Sequence, residues 1–199
     1  FLPSKTDARI PIANRYFGVF QSGEIKVRGI EARRRDTPIW IAAVQKEMIA
    51  LLGQARTKAE LSDYIQEAFC FYYSSLRKLE ENQVPVDQLV INGKVSYALE
   101  AYKASTASVR AARQMEAAGI PIKPGMRIRF IYRKGEPDVF AWDLGKPIDP
   151  FEVNKPKYIE LLAKAGSAVL APFGISEALF REWSENRSIQ LKLNQGMFD

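Results

Sequence analysis

The residues best suited to chemistry in this chain form an anion-binding set. Tyr102-Lys103-Ala104-Ser105-Thr106-Ala107-Ser108-Val109-Arg110 puts a cation, three hydroxyls and the expected N-terminus of a helix side by side. Phosphate oxygens accept hydrogen bonds from all three kinds of donor. Part of this is ordinary capping by Ser105 or Thr106. Capping does not account for Lys103, Arg110 and Arg113 gathered beside it. A second basic run, Arg33-Arg34-Arg35, follows a strand pattern bearing Lys26 and Arg28. Its default reading is a solvated face; the alternative is an extension of a phosphate-binding surface.

Other chemistries lack their residues. The chain has no histidine, which removes Ser-His and Cys-His catalysis. A single cysteine, Cys70, allows no internal disulfide and no zinc site of the usual Cys/His type. Its setting, Ala68-Phe69-Cys70-Phe71, predicts a buried and inert thiol. Metal-assisted phosphoryl transfer needs clustered carboxylates, and neither Asp-x-Asp nor Asp-Thr-Asp occurs. Asp138, Asp143 and Asp149 are spread over a turn, a strand end and a loop, where solvated or capping roles are expected. Gly145-Lys146-Pro147 lacks the upstream glycine and the hydroxyl residue of a P-loop. Gly-x-Ser-x-Gly is absent.

Lysine and arginine number 29 against 23 acidic residues, a net charge of +6. Residues 94–134 hold Lys94, Lys103, Arg110, Arg113, Lys123, Arg127, Arg129, Arg133 and Lys134 against Glu100 and Glu116 alone, an excess of seven in 41 residues. One segment thus carries the electrostatic footprint expected for a polyanion partner. With 47% hydrophobic and 26% charged residues the chain is globular in composition. No apolar run is long enough to span a membrane, and no signal peptide or disulfide pattern is visible, which suits the cytoplasm. The chain opens Phe1-Leu2-Pro3 without a methionine, so a fragment, a processed chain or part of a longer one is expected.

The elements that must position these groups read as follows. Arg15-Tyr16-Phe17-Gly18-Val19-Phe20 and Ile25-Lys26-Val27-Arg28-Gly29-Ile30 flank a glycine-containing turn and predict a β-hairpin with one apolar and one basic face. Asp36-Thr37-Pro38 starts a helix through Ile39, Ile41, Val44, Met48 and Leu51, ending near Gly53. Thr57-Lys58-Ala59-Glu60 is a capping box opening a second helix to about Glu81, with Tyr64, Phe69, Tyr72 and Leu76 as core. Leu89-Val90-Ile91 reads as a short extended piece and residues 97–102 as a brief helix. A longer helix runs from Ser105 or Thr106 through Val109, Ala112 and Met115 to Gly119. Residues 125–133 and 138–143 are strands around a turn, with Ile128, Phe130 and Tyr132 alternating with Arg127, Arg129 and Arg133. Pro156 opens another helix to Pro172-Phe173-Gly174, and residues 176–183 add a short one. The expected class is α+β, mainly helical with small antiparallel hairpins.

Several of these stretches together resemble family B DNA polymerases. Asn14-Arg15-Tyr16-Phe17-Gly18-Val19, Lys26-Val27-Arg28-Gly29-Ile30-Glu31 and Arg34-Arg35-Asp36 look like that family's palm-to-thumb junction. Leu89-Val90-Ile91, Leu99, Tyr102-Lys103, Val109, Ala112 and Gly119 resemble its thumb segment. Lys157-Tyr158-Ile159-Glu160 and Leu170-Ala171-Pro172-Phe173-Gly174 resemble its late thumb helix. The spacing agrees from about residue 14 to 174, with an archaeal flavour.

The resemblance implies a palm edge with a primer–template-contacting hairpin at 1–36, a thumb at 37–186 and a polar tail at 187–199. It implies junction contacts to duplex DNA from Tyr16, Arg28 and Arg34, on the minor-groove side, and Asn14, Arg15 and Lys26 of the same hairpin are further candidates for DNA contact. The thumb would grip the backbone through Tyr102, Lys103, Ser105 and Thr106, and Ser108, Arg110 and Arg113 beside them are further candidates for DNA contact. Asn14 stands where the family usually has lysine, so that contact would be a neutral hydrogen bond, and Ser108 stands where many members have histidine. Magnesium is expected in the parent polymerase and no cofactor in this chain, which by itself should be inactive. Implied partners are primer–template DNA and the remaining palm, fingers and exonuclease. Gln190-Leu191-Lys192-Leu193 or Gln195-Gly196-Met197-Phe198 could begin a sliding-clamp peptide, but neither frame is completed, and a polar tail is the preferred reading. The competing class is a basic α+β module, unrelated to polymerases, that binds nucleic acid or protein.

Overall fold

The alternation of Ile25 and Val27 with Lys26 and Arg28 produces the expected hairpin. In the computed structural model, which describes residues 2–4 and 10–185, strands β1 (Tyr16–Val19) and β2 (Ile25–Arg28) pair antiparallel. Tyr16 stands opposite Arg28 and Gly18 opposite Lys26. The turn closes with Phe20 N–H on Glu24 O at 2.8 Å, and Gly23 takes φ +85, a conformation that glycine adopts without steric cost.

The described residues form two compact units, each assembled from separate stretches. The first draws on residues 2–4, 10–34, 41–78 and 159–185. It contains the hairpin and most of helices α1 (Ile39–Leu52), α2 (Lys58–Glu80) and α4 (Lys155–Leu170), with α5 (Glu177–Glu185). Its core is Ile30, Ile41, Met48, Phe69, Tyr72, Leu162, Val169 and Phe180. Phe69 and Tyr72 meet Phe180 edge-on, with ring centroids 5.5 and 4.5 Å apart. Gly166 admits that cluster, because a Cβ there would lie 2.6 Å from the Phe180 ring and 2.8 Å from Tyr72.

The capping box forms, with its return bond one residue earlier than the N-cap. Glu60 N–H donates to Thr57 Oγ1 at 3.2 Å, while the Glu60 carboxylate reaches back to Arg56 N–H at 2.9 Å. The buried stripe of α2 is Ala68, Phe69, Tyr72, Ser75, Leu76 and Leu79. Cys70 falls one step off it, among Asp63, Glu67, Ser74 and Lys78, and is exposed. The expected buried thiol is therefore corrected. Its apolar sequence neighbours sit on another side of the helix, at 100° per residue.

The second unit draws on Arg35–Trp40 and Leu79–Tyr158. Strands β3 (Ile91–Lys94), β4 (Arg127–Tyr132) and β5 (Val139–Ala141) form one antiparallel sheet in the order β3-β4-β5, and α3 (Ala107–Ala117) packs on it. The sheet extends the expected second hairpin by a strand. Residues Val86–Leu89 form a 3-10 turn, so only Ile91 of the expected extended piece enters the ladder. The brief helix expected over 97–102 is a 3-10 turn at Leu99–Ala101. Ile128, Phe130, Ile131 and Val139 fill the core with Val109, Ala112 and Met115 of α3. The buried Tyr158 hydroxyl accepts the Tyr132 N–H at 3.1 Å. Helix and small antiparallel sheets make the fold α+β, as expected. The tail at 187–199, including both clamp-peptide frames, lies outside the described residues.

Candidate nucleic-acid interface

In the first unit, opposed strand residues share a face of the hairpin. Tyr16, Gly18, Lys26 and Arg28 thus form one face, and Phe17, Val19, Ile25 and Val27 the other. Three of the expected contact residues come together in this way. Lys26 and Arg28 are exposed and have no acidic partner among the described residues. Gly18 opens on empty space and leaves that face uncrowded. Arg15 has the opposite parity. Its Nε donates to Gly29 O at 3.1 Å, closing the base of the hairpin. Asn14 is exposed at φ 61, in the left-handed region that Asn tolerates better than other side chains. Its carbonyl comes so close to Gly29, itself at φ +68, that a Cβ on Gly29 would collide with it. Arg34 is exposed and already engaged in an interaction of its own.

What fixes this hairpin went unnoticed in the sequence. Glu31 is buried at 8% exposure and Gln45 at 0%. The Gln45 amide donates to Glu31 Oε2 at 3.3 Å and to Ala165 O at 2.7 Å, and its oxygen accepts the Ala32 N–H at 2.5 Å. Lys164 Nζ lies 3.9 Å from Glu31 Oε1. The chain just after Gly29-Ile30 is therefore bolted to α1 and α4 by one amide. A signal existed: Gln45 is polar at a position that the Ile41, Val44, Met48 spacing makes a core site, and buried polar residues are there for their bonds.

In the second unit, the Tyr102–Arg110 set divides into free and committed groups. Lys103 and Arg113 are exposed and have no partner among the described residues. Ser105 and Thr106 are exposed as well. Thr106 holds the N-cap position of α3 without capping by its side chain; its hydroxyl lies 3.1 Å from Ser108 Oγ. The Tyr102 hydroxyl accepts the Ser96 and Tyr97 N–H groups at 2.5 and 3.2 Å, which leaves its own proton available to a ligand. Arg110 is committed. Nε and Nη2 form a two-point pair with Asp138 at 2.8 and 2.7 Å, and Nη1 donates to Ser105 O.

The same pattern revises the charge footprint. Arg129 pairs with Asp143 at 2.6 Å and Arg133 with Glu152 at 3.6 Å. All three acids lie just beyond residue 134, outside the stretch where the basic excess was counted. The second unit as a whole holds thirteen basic and eleven acidic residues. Two of the three aspartates weighed as metal ligands are thereby explained as ion-pair partners. The third, Asp149, caps a 3-10 turn through Phe151 N–H at 2.8 Å, as expected. Among the described residues no group of three or more Asp, Glu, Cys or His comes together to hold a metal, and no helix is long and apolar enough to cross a membrane.

Similarity to known proteins agrees with the motif order. The family model for DNA polymerase family B matches residues 13–167, which include both sheets and α3. The chain is similar to DNA polymerase 1 of Saccharolobus solfataricus, 26% identical over 162 residues, covering 81% of this chain and 18% of that protein. It is 30% identical over 165 residues to DNA polymerase 1 of Sulfolobus acidocaldarius, at 81% and 18% coverage. With the DNA polymerase of Thermococcus kodakarensis it shares 31% over 144 residues, 72% of this chain and 8% of that one. The chain spans less than a fifth of the length of each. The solved family B DNA polymerase from the archaeon Pyrobaculum calidifontis has the same fold over 79% of this chain and 20% of its own, with a TM-score of 0.61 at 20% identity.

Proposed function

The chain belongs to DNA polymerase family B, and from that premise we propose that it supplies the palm edge and thumb of a DNA-directed DNA polymerase and holds primer–template duplex. The observation that carries this reading is the outer face of the β1–β2 hairpin. There, Lys26 and Arg28 stand beside Tyr16 with no acidic partner among the described residues, on a hairpin followed directly by the segment that the Glu31–Gln45 bonds hold. Exposed cations on a rigid ribbon neutralise phosphates without reading sequence. In this reading Asn14, Tyr16, Lys26, Arg28 and Arg34 contact the duplex near the primer end from the minor-groove side, and Arg15 shapes the hairpin. Tyr102, Lys103, Ser105, Thr106, Ser108 and Arg113 contact the backbone behind it, and Arg110 holds their loop in place.

Nucleotide transfer needs magnesium on clustered carboxylates. Asp138, Asp143 and Asp149 do not fit that ion, since the first two are paired with Arg110 and Arg129 and the third caps its own 3-10 turn. The metal is assigned to residues outside this chain, in the palm that this piece would adjoin, together with fingers and exonuclease. The setting is the cytoplasm, and a sliding clamp on residues 187–199 is a candidate partner. Family membership removes the alternative of a module unrelated to polymerases.

Duplex binding measured at about 50 mM and about 200 mM salt tests the reading, with a steep loss of affinity expected. A flat response sinks the electrostatic grip. Nucleotide incorporation by this chain alone would overturn the assignment of the metal elsewhere.

A further inference from the structure

The solvent face of the β3-β4-β5 sheet carries two cross-strand rows. Asn92 stands opposite Arg129, and Lys94 opposite Arg127. In the first row the cation is neutralised: Asp143 takes the Arg129 side chain at 2.6 Å and its backbone N–H at 3.0 Å. The second row has no such relief. Lys94 and Arg127 are like charges directly across an antiparallel ladder, an arrangement that costs stability. Neither has an acidic partner among the described residues.

A third exposed cation joins them. Arg35, Lys94 and Arg127, with Asn92, Gly93 and Gly125, line an open depression of about 240 Å³. No carboxylate is among the described residues that line it. Gly93 is closed from below, since a Cβ there would come 2.5 Å from Ser108 Cβ and 3.1 Å from the Phe130 ring. Gly125, at φ +91, opens on empty space. Gly125 thus leaves room beside the three cationic side chains, while Gly93 brings the strand close to Ser108 and Phe130 beneath it. No aromatic ring lines the depression, so nothing there stacks on a base.

We infer that this depression binds a backbone phosphate of the nucleic acid through Arg35, Lys94 and Arg127, an inference that rests on the duplex-holding reading above. The anion supplies the counter-charge that the second row lacks, as Asp143 does for the first. An open shelf without base-stacking rings suits a phosphodiester within a polymer. A free phosphate ion shares the chemistry, and the experiment separates the two.

The 199-residue chain is titrated with a short DNA duplex and, separately, with inorganic phosphate, following the Gly93 and Gly125 amide resonances. Wild type is compared with Lys94→Gln, Arg127→Gln and the double variant, and melting is recorded for each. The duplex should shift both amides. The double variant should lower duplex affinity roughly threefold to tenfold per charge removed and flatten the log–log salt slope by about 2. Because like-charge repulsion is relieved, the variants should melt at or above the wild-type temperature. Wild-type affinity and slope in a folded double variant would overturn the inference and leave the duplex-holding reading intact. Saturation by inorganic phosphate that blocks the duplex would make this a free-anion site and overturn the backbone assignment. No duplex binding by wild type would remove both.

Discussion

A cation already bound to a carboxylate reaches a phosphate only by giving up that carboxylate. This separates Arg110 from Lys103 although they are seven positions apart in one basic stretch. Lys103→Ala should leave melting unchanged, weaken duplex binding for every sequence alike and reduce the salt slope by about 1. Arg110→Ala should lower stability first, because Asp138 and the Ser105 carbonyl lose their donor. A double-mutant cycle with Asp138→Ala should give a coupling of about 1 kcal/mol, the scale for a partly exposed pair. A zero coupling would return Arg110 to the free cations. Cys70 shows the same dependence on local surroundings. It is exposed, yet partial burial of its thiol, followed by the Glu67 charge, raises its pKa above the ordinary value. Thiolate is the reactive form. Alkylation should therefore be slow at neutral pH and reach its half-maximal rate above the ordinary thiol range, with Glu67→Gln shifting that point downward. An alkylation midpoint below the ordinary range would contradict this.

Elements were legible where a short-range rule decided them. The hairpin alternation, the Thr57–Glu60 box and the Gly119 stop of α3, at φ +82 with Ile120 N–H on Met115 O at 3.0 Å, all follow from neighbours in sequence. What escaped depends on partners distant in the chain. Strand β3, Ile91–Lys94, contains Asn and Gly, poor strand formers, and exists because β4 offers it an edge some 35 residues on. Asp138, Asp143 and Glu152 neutralise arginines that precede them by 14 to 28 positions and, for Arg133, by 19. The Gln45 clamp joins Glu31 to Ala165, 120 residues from Gln45. Gln45→Leu keeps a similar volume and strands the Ala32 N–H, the Ala165 carbonyl and Glu31. It should cost about 2–4 kcal/mol by denaturant titration; a loss under ~1 kcal/mol would mean that water replaces the amide. Gly29 offers a parallel test. Gly29→Ala meets both a positive φ and the Asn14 carbonyl, whereas Gly23→Ala meets only the positive φ. The first should destabilise by clearly more than the second, which should cost about 1 kcal/mol.

Net charge is the natural whole-molecule measure for a polyanion binder, and +6 would by itself place this chain among weakly basic proteins. The structure gives a sharper variable: whether each cation already has an acid. Lys26, Arg28, Arg35, Lys94, Lys103, Arg113 and Arg127 are exposed and have no acid partner among the described residues, while Arg110, Arg129 and Arg133 have one each. Counterion release counts phosphates actually neutralised, at about 0.9 ions per contact on duplex DNA. Two double variants with the same change in net charge should therefore behave differently. Lys103→Gln with Arg113→Gln should flatten the slope of log affinity against log salt by about 2. Arg129→Gln with Arg133→Gln should leave that slope near the wild-type value and lower the melting temperature, since each removes one half of an ion pair. Fluorescence anisotropy with a labelled duplex across four salt concentrations, beside thermal melts of the same preparations, measures both. Equal slope changes in the two double variants would show that this chain meets DNA as a diffuse positive charge, and the assignment of individual contacts would fall.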